Sequence, residues 1–501
     1  MYDLVKTKEE LETLAELMQK EVLGRKETVA RYTRIVYISS TFLNGTRSEV
    51  NACQSDFNLE RMTEGIYTVT GVDDLMPHNI EEVRVARDLQ QHRFSFCRKK
   101  IPLPTEKATI FFTLPLNITH YDQELSAFTK SHKNTRITRA LTIEQRIIVN
   151  SNGGKVIQSI PFFQIQYTHG YPPIQTNRDI KVVCATNDDI KRLPALIEYI
   201  ADPTPDKKIK KARTFSEAFS ELHQISGLKY GSMEEAGIPT AELYDVIMLT
   251  GVPAHEIFGH HFEEPIRYLS FGESGTFKKG QNIKNTGLIL TDNPAQKIAG
   301  FNVSGFTLYD AYGRRRTQRT HIQDGQVIAF LGSEYADEAE KLGKYNNTQP
   351  EHFTGNASQY VDGYFPQPRM SCTVLTGKTE QVCTEGKLIL VSSEGHTDPR
   401  DKTYLVRAEE CYIIKNGVPK RVIPLQVTGG INQALANIKL LDDESYQTGM
   451  CGKPEPIYYP NSIGRASVPV SQLAKSQMWQ AQQVYPLPIS DAHLKVLMRP
   501  N

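Results

Sequence analysis

No Cys-x-x-Cys pair, no excess charge of either sign and no long apolar run occur in this chain of 501 residues. The seven cysteines, at 53, 97, 184, 372, 383, 411 and 451, are odd in number and scattered. A disulfide framework is therefore not expected, and a reducing compartment is. No apolar stretch approaches the roughly 18 residues that a membrane helix requires, so no membrane partner is expected. The opening MYDLVKTKEELETLAELMQKE lacks the apolar segment of a signal peptide and reads as a charged amphipathic surface helix. A cytoplasmic protein is the expectation, though a secreted chain trimmed of its leader would read the same way. The 58 basic residues against 57 acidic ones leave a net charge of +1. Nucleic-acid binders usually carry a clustered basic surplus, so no nucleic-acid partner is expected. The one short basic cluster, GRRRTQR at 313–319, is expected to be a solvated hairpin face.

Hydrophobic residues make up 39 % of the chain, enough for more than one core. ATIFFTLPL at 108–116 reads as a buried strand. The segment 135–170 holds two alternating runs around SNGG, a hairpin signal. RDIKVVCATNDDIKRLPALIEYI at 178–200 reads strand, turn, helix. ADPTPDKKIKK at 201–211 is polar and proline-bearing, and reads as a linker. In the following segment Phe215, Ala218, Phe219 and Leu222 have helical spacing. YDVIMLTG at 244–251 is an apolar strand, and Pro253 stands where a helix would open. Beyond 285 the patterns are mainly strands, with hairpin signals at Asp324-Gly325 and Asn416-Gly417. The expected architecture is α+β. An N-terminal α/β domain over 1–228 precedes a β-rich C-terminal domain over 229–501 that carries one central helix.

That helix holds AHEIFGHHFEE, in which His255, Glu256 and His260 form H-E-x-x-x-H. Neutral imidazoles bind a metal, and an adjacent carboxylate can take a proton from water; zinc hydrolases use this combination. The spacing does not suit an ideal helix. At i+5, His260 lies about 140° around from His255. His261, at i+6, is about 120° away in the other sense, and position i+4 is Gly259. A one-residue π-bulge would bring i and i+5 onto one face. Local unwinding would do the same. Gly259 is expected to lower the cost of either distortion. A helix that merely carries three histidines is the competing reading.

GVPAHEIFGHHFEE resembles the HEAxGHxxE block of the TldD/PmbA family, also called modulators of DNA gyrase. His255, Glu256, Gly259, His260 and Glu263 fall on that pattern. GNASQYVDGYFPQPRMSCT at 355–373 is similar to the family's Gly-Asn…Pro-Arg-Met segment. EGHTDPRDKTYLVRAEECYIIKNG at 394–417 is similar to its Asp-Pro…Asn-Gly segment, with His396 where glutamine is expected. TGMCGK at 448–453 resembles its Val-Cys-Gly-Lys block. The four blocks, in order, span about 245–455.

The resemblance implies a TldD-type zinc peptidase in which His255, His260 and Cys451 hold Zn2+ and Glu256 is the general base. Glycines on both sides of Cys451 suit a turn that presents a ligand. Cys372, Cys383 and Cys411 lie in strand-like runs and are expected in the core. Glu263 is expected either to steady a ligand imidazole or to sit on the helix surface. Arg369 is expected to touch substrate or to pair with a buried carboxylate. For His396 and Asp398 a turn-stabilising role is the plain reading. The implied substrate is an unfolded peptide or flexible segment. The implied assembly is a homodimer or a heterodimer with a TldE/PmbA-like chain. Two rivals remain: a non-catalytic partner whose zinc is structural, and a regulatory binding protein of the same family.

Overall fold

The computed structural model describes residues 3–61, 65–70, 72, 82, 103–115, 117–171, 174–199, 214–228, 230–238, 244–248, 254–263, 277–331, 355–358, 366–398, 402–454, 465–481 and 483–486. The linker expected at 201–211 and the helix-opening Pro253 lie outside them. Helix α1, Lys8–Val22, begins on a capping box in which the Thr7 side chain accepts from the Glu10 backbone and Glu10 returns to the Thr7 backbone. Its Leu11, Leu14, Ala15, Met18 and Val22 recur at helical spacing and are buried.

The first sheet comprises β1 (Thr28–Leu43), β2 (Thr46–Arg61), β3 (Gly65–Thr70), β4 (Lys107–Phe111), β5 (Thr135–Asn150), β6 (Lys155–Tyr171) and β7 (Ile174–Val183). Its order is β3-β2-β1-β5-β6-β4, with β7 also paired to β6. All pairings are antiparallel except β4 with β6. The SNGG segment does turn β5 into β6. A second hairpin, β1 to β2, turns on Asn44 and Gly45, both at positive φ. The helices Asp122–Ser131 and Phe215–Ser226 cover one face, where Leu125, Phe128, Phe215, Phe219 and Leu222 meet Ile143, Phe163 and Tyr167. Arg139 on β5 forks onto the Asp122 carboxylate, which pins the first of these helices.

The second sheet is built from the chain after residue 243. Its path runs Gln326–Val327, Arg319–Gln323, β9 (Leu288–Asp292), Cys372–Gly377, Arg465–Ala481, β8 (Tyr244–Met248), Leu388–Asp398, Thr403–Lys415, Leu425–Gly430 and Gln483–Pro486. Val418–Val422 pairs with Thr403–Lys415, and Lys439–Pro454 pairs with Arg465–Ala481. Asp324-Gly325 and Asn416-Gly417 form tight turns with all four residues at positive φ. The chain is thus a strand-rich mixture of helices and sheets. Among the described residues no helix is long and apolar enough to cross a membrane.

Strand β7 lies along the seam between the two sheets. Val182 bridges to Val303. Arg178 forks onto Glu410, and the longer of the two hydrogen bonds is 2.9 Å. Two expectations need correction. Arg316, in the basic cluster, is buried and donates to Asn356 O and Ser358 Oγ; only part of that cluster is solvated. The carboxylates Asp292 and Asp310 near this guanidinium account for its burial. Cys372 and Cys411 are buried as expected, but Cys383 is exposed because it falls outside any strand.

Candidate metal centre

The segment after β8 is helical in an unusual way. Ala254–Gly259 is a π-helix and His260–Glu263 continues as a single α-turn. Of the two repairs considered for the H-E-x-x-x-H spacing, the π-turn is the one adopted. The extra residue per turn brings the His255 and His260 rings together, with centroids 4.5 Å apart. The same phase shift buries Ala254, Ile257, Phe258 and Phe262 against Val246, Met248, Leu388 and Leu390 of the second sheet. Burying each phenylalanine contributes about 1.5–3 kcal/mol. The irregular helix is therefore held from outside by packing, not by its own propensity.

Gly259 is needed for its missing Cβ, as expected, and not for its backbone angle. Its φ is not in the left-handed region. A Cβ at this position would instead stand 2.9 Å from His255 Nδ1, 3.0 Å from Met370 Sδ and 3.1 Å from Thr373 Oγ1. The glycine leaves room for those three groups to meet.

His255 is fully buried. Its Nδ1 lies 3.0 Å from Thr373 Oγ1, while its Nε2 has no hydrogen-bond partner among the described residues. Thr373 stands at the start of the strand Cys372–Gly377, beside Asp292 of β9. That carboxylate anchors the turn into the strand. Its Oδ1 accepts from Ser371 N at 2.7 Å, Ser371 Oγ at 2.9 Å and Cys372 N at 2.9 Å. Its Oδ2 accepts from Asn356 Nδ2 at 2.8 Å. Burial pushes the Asp292 pKa up, although these donors and Arg316 oppose the rise. The Gly-Asn…Pro-Arg-Met segment thus acts as a frame. Asn356 satisfies the buried carboxylate. Gly355, at φ +72°, packs where a Cβ would meet Arg315 O at 2.4 Å. The Arg369 backbone N–H donates to Asn356 O, and its side chain is buried.

A buried imidazole nitrogen with no hydrogen-bond partner among the described residues, beside a second histidine, suits a metal ion. This donor set therefore fits a metal, with His255 and His260 as the pair the fold brings together. Among the described residues no group of three or more His, Cys, Asp and Glu side chains gathers as a metal cluster. The backbones of Glu256, Glu263 and Cys451 are described, while their side chains lie outside the described residues. Cys451 is not on a turn, contrary to expectation. It sits within Lys439–Pro454, opposite Val468 of the neighbouring strand, because its flanking glycines continue the ladder. His261 is buried edge-on against Phe277, with ring centroids 5.4 Å apart. His396 is exposed on the strand Leu388–Asp398, opposite Leu405. Sequence reasoning missed Thr373, Met370 and Asp292. The first two lie within the 355–373 block that carries part of the resemblance, but only their contacts reveal a role.

The fold is strand-rich, and its π-turn brings His255 and His260 together. Residues 242–473 match the family described as PmbA/TldA metallopeptidase C-terminal domain, and this segment belongs to that family. A protein named metalloprotease from Archaeoglobus fulgidus is 29% identical over 229 residues, which cover 43% of this chain and 49% of that one. The chain thus spans about half the length of that relative. The crystal structure of TldE from Thermococcus kodakarensis superposes over 95% of this chain and 99% of its own, with a TM-score of 0.61 at 12% identity. A protein described as a modulator of DNA gyrase from Thermotoga maritima superposes over 96% of this chain and 100% of its own, with a TM-score of 0.58 at 14% identity. Both likenesses are of fold.

Proposed function

We propose that this chain is a zinc-dependent peptidase that cleaves unfolded peptides or flexible segments. The observation that carries the reading is the buried, unengaged His255 Nε2 beside His260 on a π-turn, within a segment of a metallopeptidase family. His255, His260 and Cys451 would hold the zinc. Bound zinc supplies Lewis acidity, which makes hydroxide accessible at neutral pH. Glu256 then takes the proton of the attacking water and delivers it to the leaving amine. Glu263 steadies a ligand imidazole, and the buried Arg369 braces the frame around Asn356. Extended substrate joins a strand edge by its backbone, a mode that suits flexible chains better than folded ones. The working assembly is a dimer, either of two copies or with a TldE/PmbA-like partner. The division at 228 separates an N-terminal domain from the peptidase domain.

Glu256→Gln tests this reading. The amide keeps shape but cannot accept a proton, so turnover of casein or an unstructured peptide should fall by about 10² to 10⁴ with zinc content unchanged. Substrate affinity should hardly move, because the carboxylate acts mainly in the transition state. Near-normal turnover by zinc-loaded Glu256→Gln would remove Glu256 from the mechanism. Zinc binding without turnover by the wild type, alone or with a TldE-like chain, would favour the structural-zinc reading.

A further inference from the structure

We propose that Thr373 and Met370 set the tautomer of His255, so that Nε2 presents its lone pair to the metal before any metal arrives. This rests on the reading of His255 as a ligand and adds positioning residues to it. Three observations combine. Thr373 Oγ1 is 3.0 Å from His255 Nδ1. The same hydroxyl donates to Met370 Sδ at 3.0 Å. Gly259 has no Cβ where one would enter the space these three share.

A threonine hydroxyl has one proton and two lone pairs, whereas a thioether can only accept. Once that proton is directed at Met370 Sδ, Oγ1 can meet His255 Nδ1 only as an acceptor. Nδ1 must then carry the ring proton, and Nε2 is left as the bare nitrogen. The neutral imidazole is thereby held in its Nδ1–H form, with a buried lone pair at Nε2. A metal-binding histidine is commonly oriented through its second ring nitrogen by an acceptor. Here the acceptor is a neutral hydroxyl, and its own direction is fixed by sulfur. The frame is rigid where it matters, because Asp292 holds the Ser371 and Cys372 amides between Met370 and Thr373. Both residues are thus kept at a fixed separation across one turn.

Two measurements on the full-length protein test the proposal. The first is 15N NMR of the metal-free protein with 15N-labelled histidine, the His255 signals being assigned by their loss in His255→Gln. The Nδ1–H tautomer is expected in the wild type; the Nε2–H tautomer would overturn the proposal whether or not zinc binds. The second is zinc affinity by chelator competition. Thr373→Val keeps the shape and removes the acceptor, and should weaken zinc by about 10- to 100-fold. Thr373→Ser should restore binding, which separates this role from mere packing. Met370→Leu keeps the volume but frees the hydroxyl proton to compete for Nδ1; its affinity should lie between those of Thr373→Val and wild type. Wild-type affinity in Thr373→Val would overturn the proposal, and wild-type affinity in Met370→Leu would remove the thioether from it. A wild type that binds no zinc would sink the peptidase reading instead, and the NMR result would still decide the tautomer.

Discussion

At Gly259 the chain has no side chain, and the neighbourhood shows why. An added methyl would press on His255 Nδ1, Met370 Sδ and Thr373 Oγ1 together. Gly259→Ala should therefore cost about 1–3 kcal/mol, as overpacking does, and should weaken zinc binding in parallel. Urea unfolding and chelator competition measure the two effects; an unchanged midpoint with unchanged affinity would show that the contacts relax freely. His261 makes the opposite case. It is buried, with its ring edge-on to Phe277. His261→Ala should lower the unfolding midpoint and leave one zinc per chain. If instead it loses zinc while His260→Ala retains it, the ligand assignment is off by one residue. Both histidines and the glycine stand out in the sequence, since H-E-x-x-x-H with glycine at i+4 is a pattern of residue types. Thr373 does not stand out. A threonine in a strand is ordinary, and only the path that lays the strand Cys372–Gly377 beneath the π-turn gives it a partner.

Among the elements, those governed by local rules were the most legible. The SNGG, Asp-Gly and Asn-Gly hairpins, helix α1 and the helix Phe215–Ser226 follow from turn chemistry and periodicity. The order of strands in the second sheet does not, because Arg465–Ala481 inserts between Cys372–Gly377 and β8, which lie far apart in sequence. Cys451 illustrates the limit: glycines on both sides suggest a turn, but pairing with the next strand carries the ladder through them. The turns allow a direct energetic test. Gly417 has φ +70° and open space where a Cβ would be, so Gly417→Ala should cost about 1–2 kcal/mol from left-handed backbone alone. Gly325 has φ +72°, and a Cβ there would stand 3.2 Å from Thr286 Cγ2. Gly325→Ala should therefore lose more. Urea midpoints at constant slope measure both; a greater loss at Gly417 would contradict the steric account.

Across the whole molecule, the two sheets share a polar seam, and its chemistry predicts acid sensitivity in two stages. Arg178 on β7 and Glu410 on Thr403–Lys415 are both buried. Burial pushes Glu410 up, but Arg178, Arg421 and the Tyr412 hydroxyl outweigh it and hold the carboxyl below its ordinary pKa. Arg178→Met would leave that carboxylate buried without its main partner, and should destabilise by about 3–5 kcal/mol. The Glu410 contribution is complete above the unfolded carboxylate pKa of about 4.3 and is lost only as pH falls below it. Nearby, His132, His169 and His223 pack edge to face, with centroids 4.5 and 4.6 Å apart. Thr135 Oγ1 meets His169 Nδ1, and the Tyr167 hydroxyl meets His223 Nδ1. Burial, then the neighbouring His223 and Arg421, pull His169 from 6.5 down to about 4, against the pull of Glu410. His223 is lowered by burial and by His132. Between these values the unfolded chain takes up a proton at position 169 that the folded chain refuses. Stability should therefore be level in pH above about 6.5, fall as pH drops from there toward about 4, and draw no further slope from this group below that. Urea midpoints from about pH 7 to about pH 4 should show the slope in the wild type and a shallower one in His169→Gln. An equal slope in the two proteins would mean that the histidine cluster does not control the first stage, and that acid acts on this fold through the carboxylates alone.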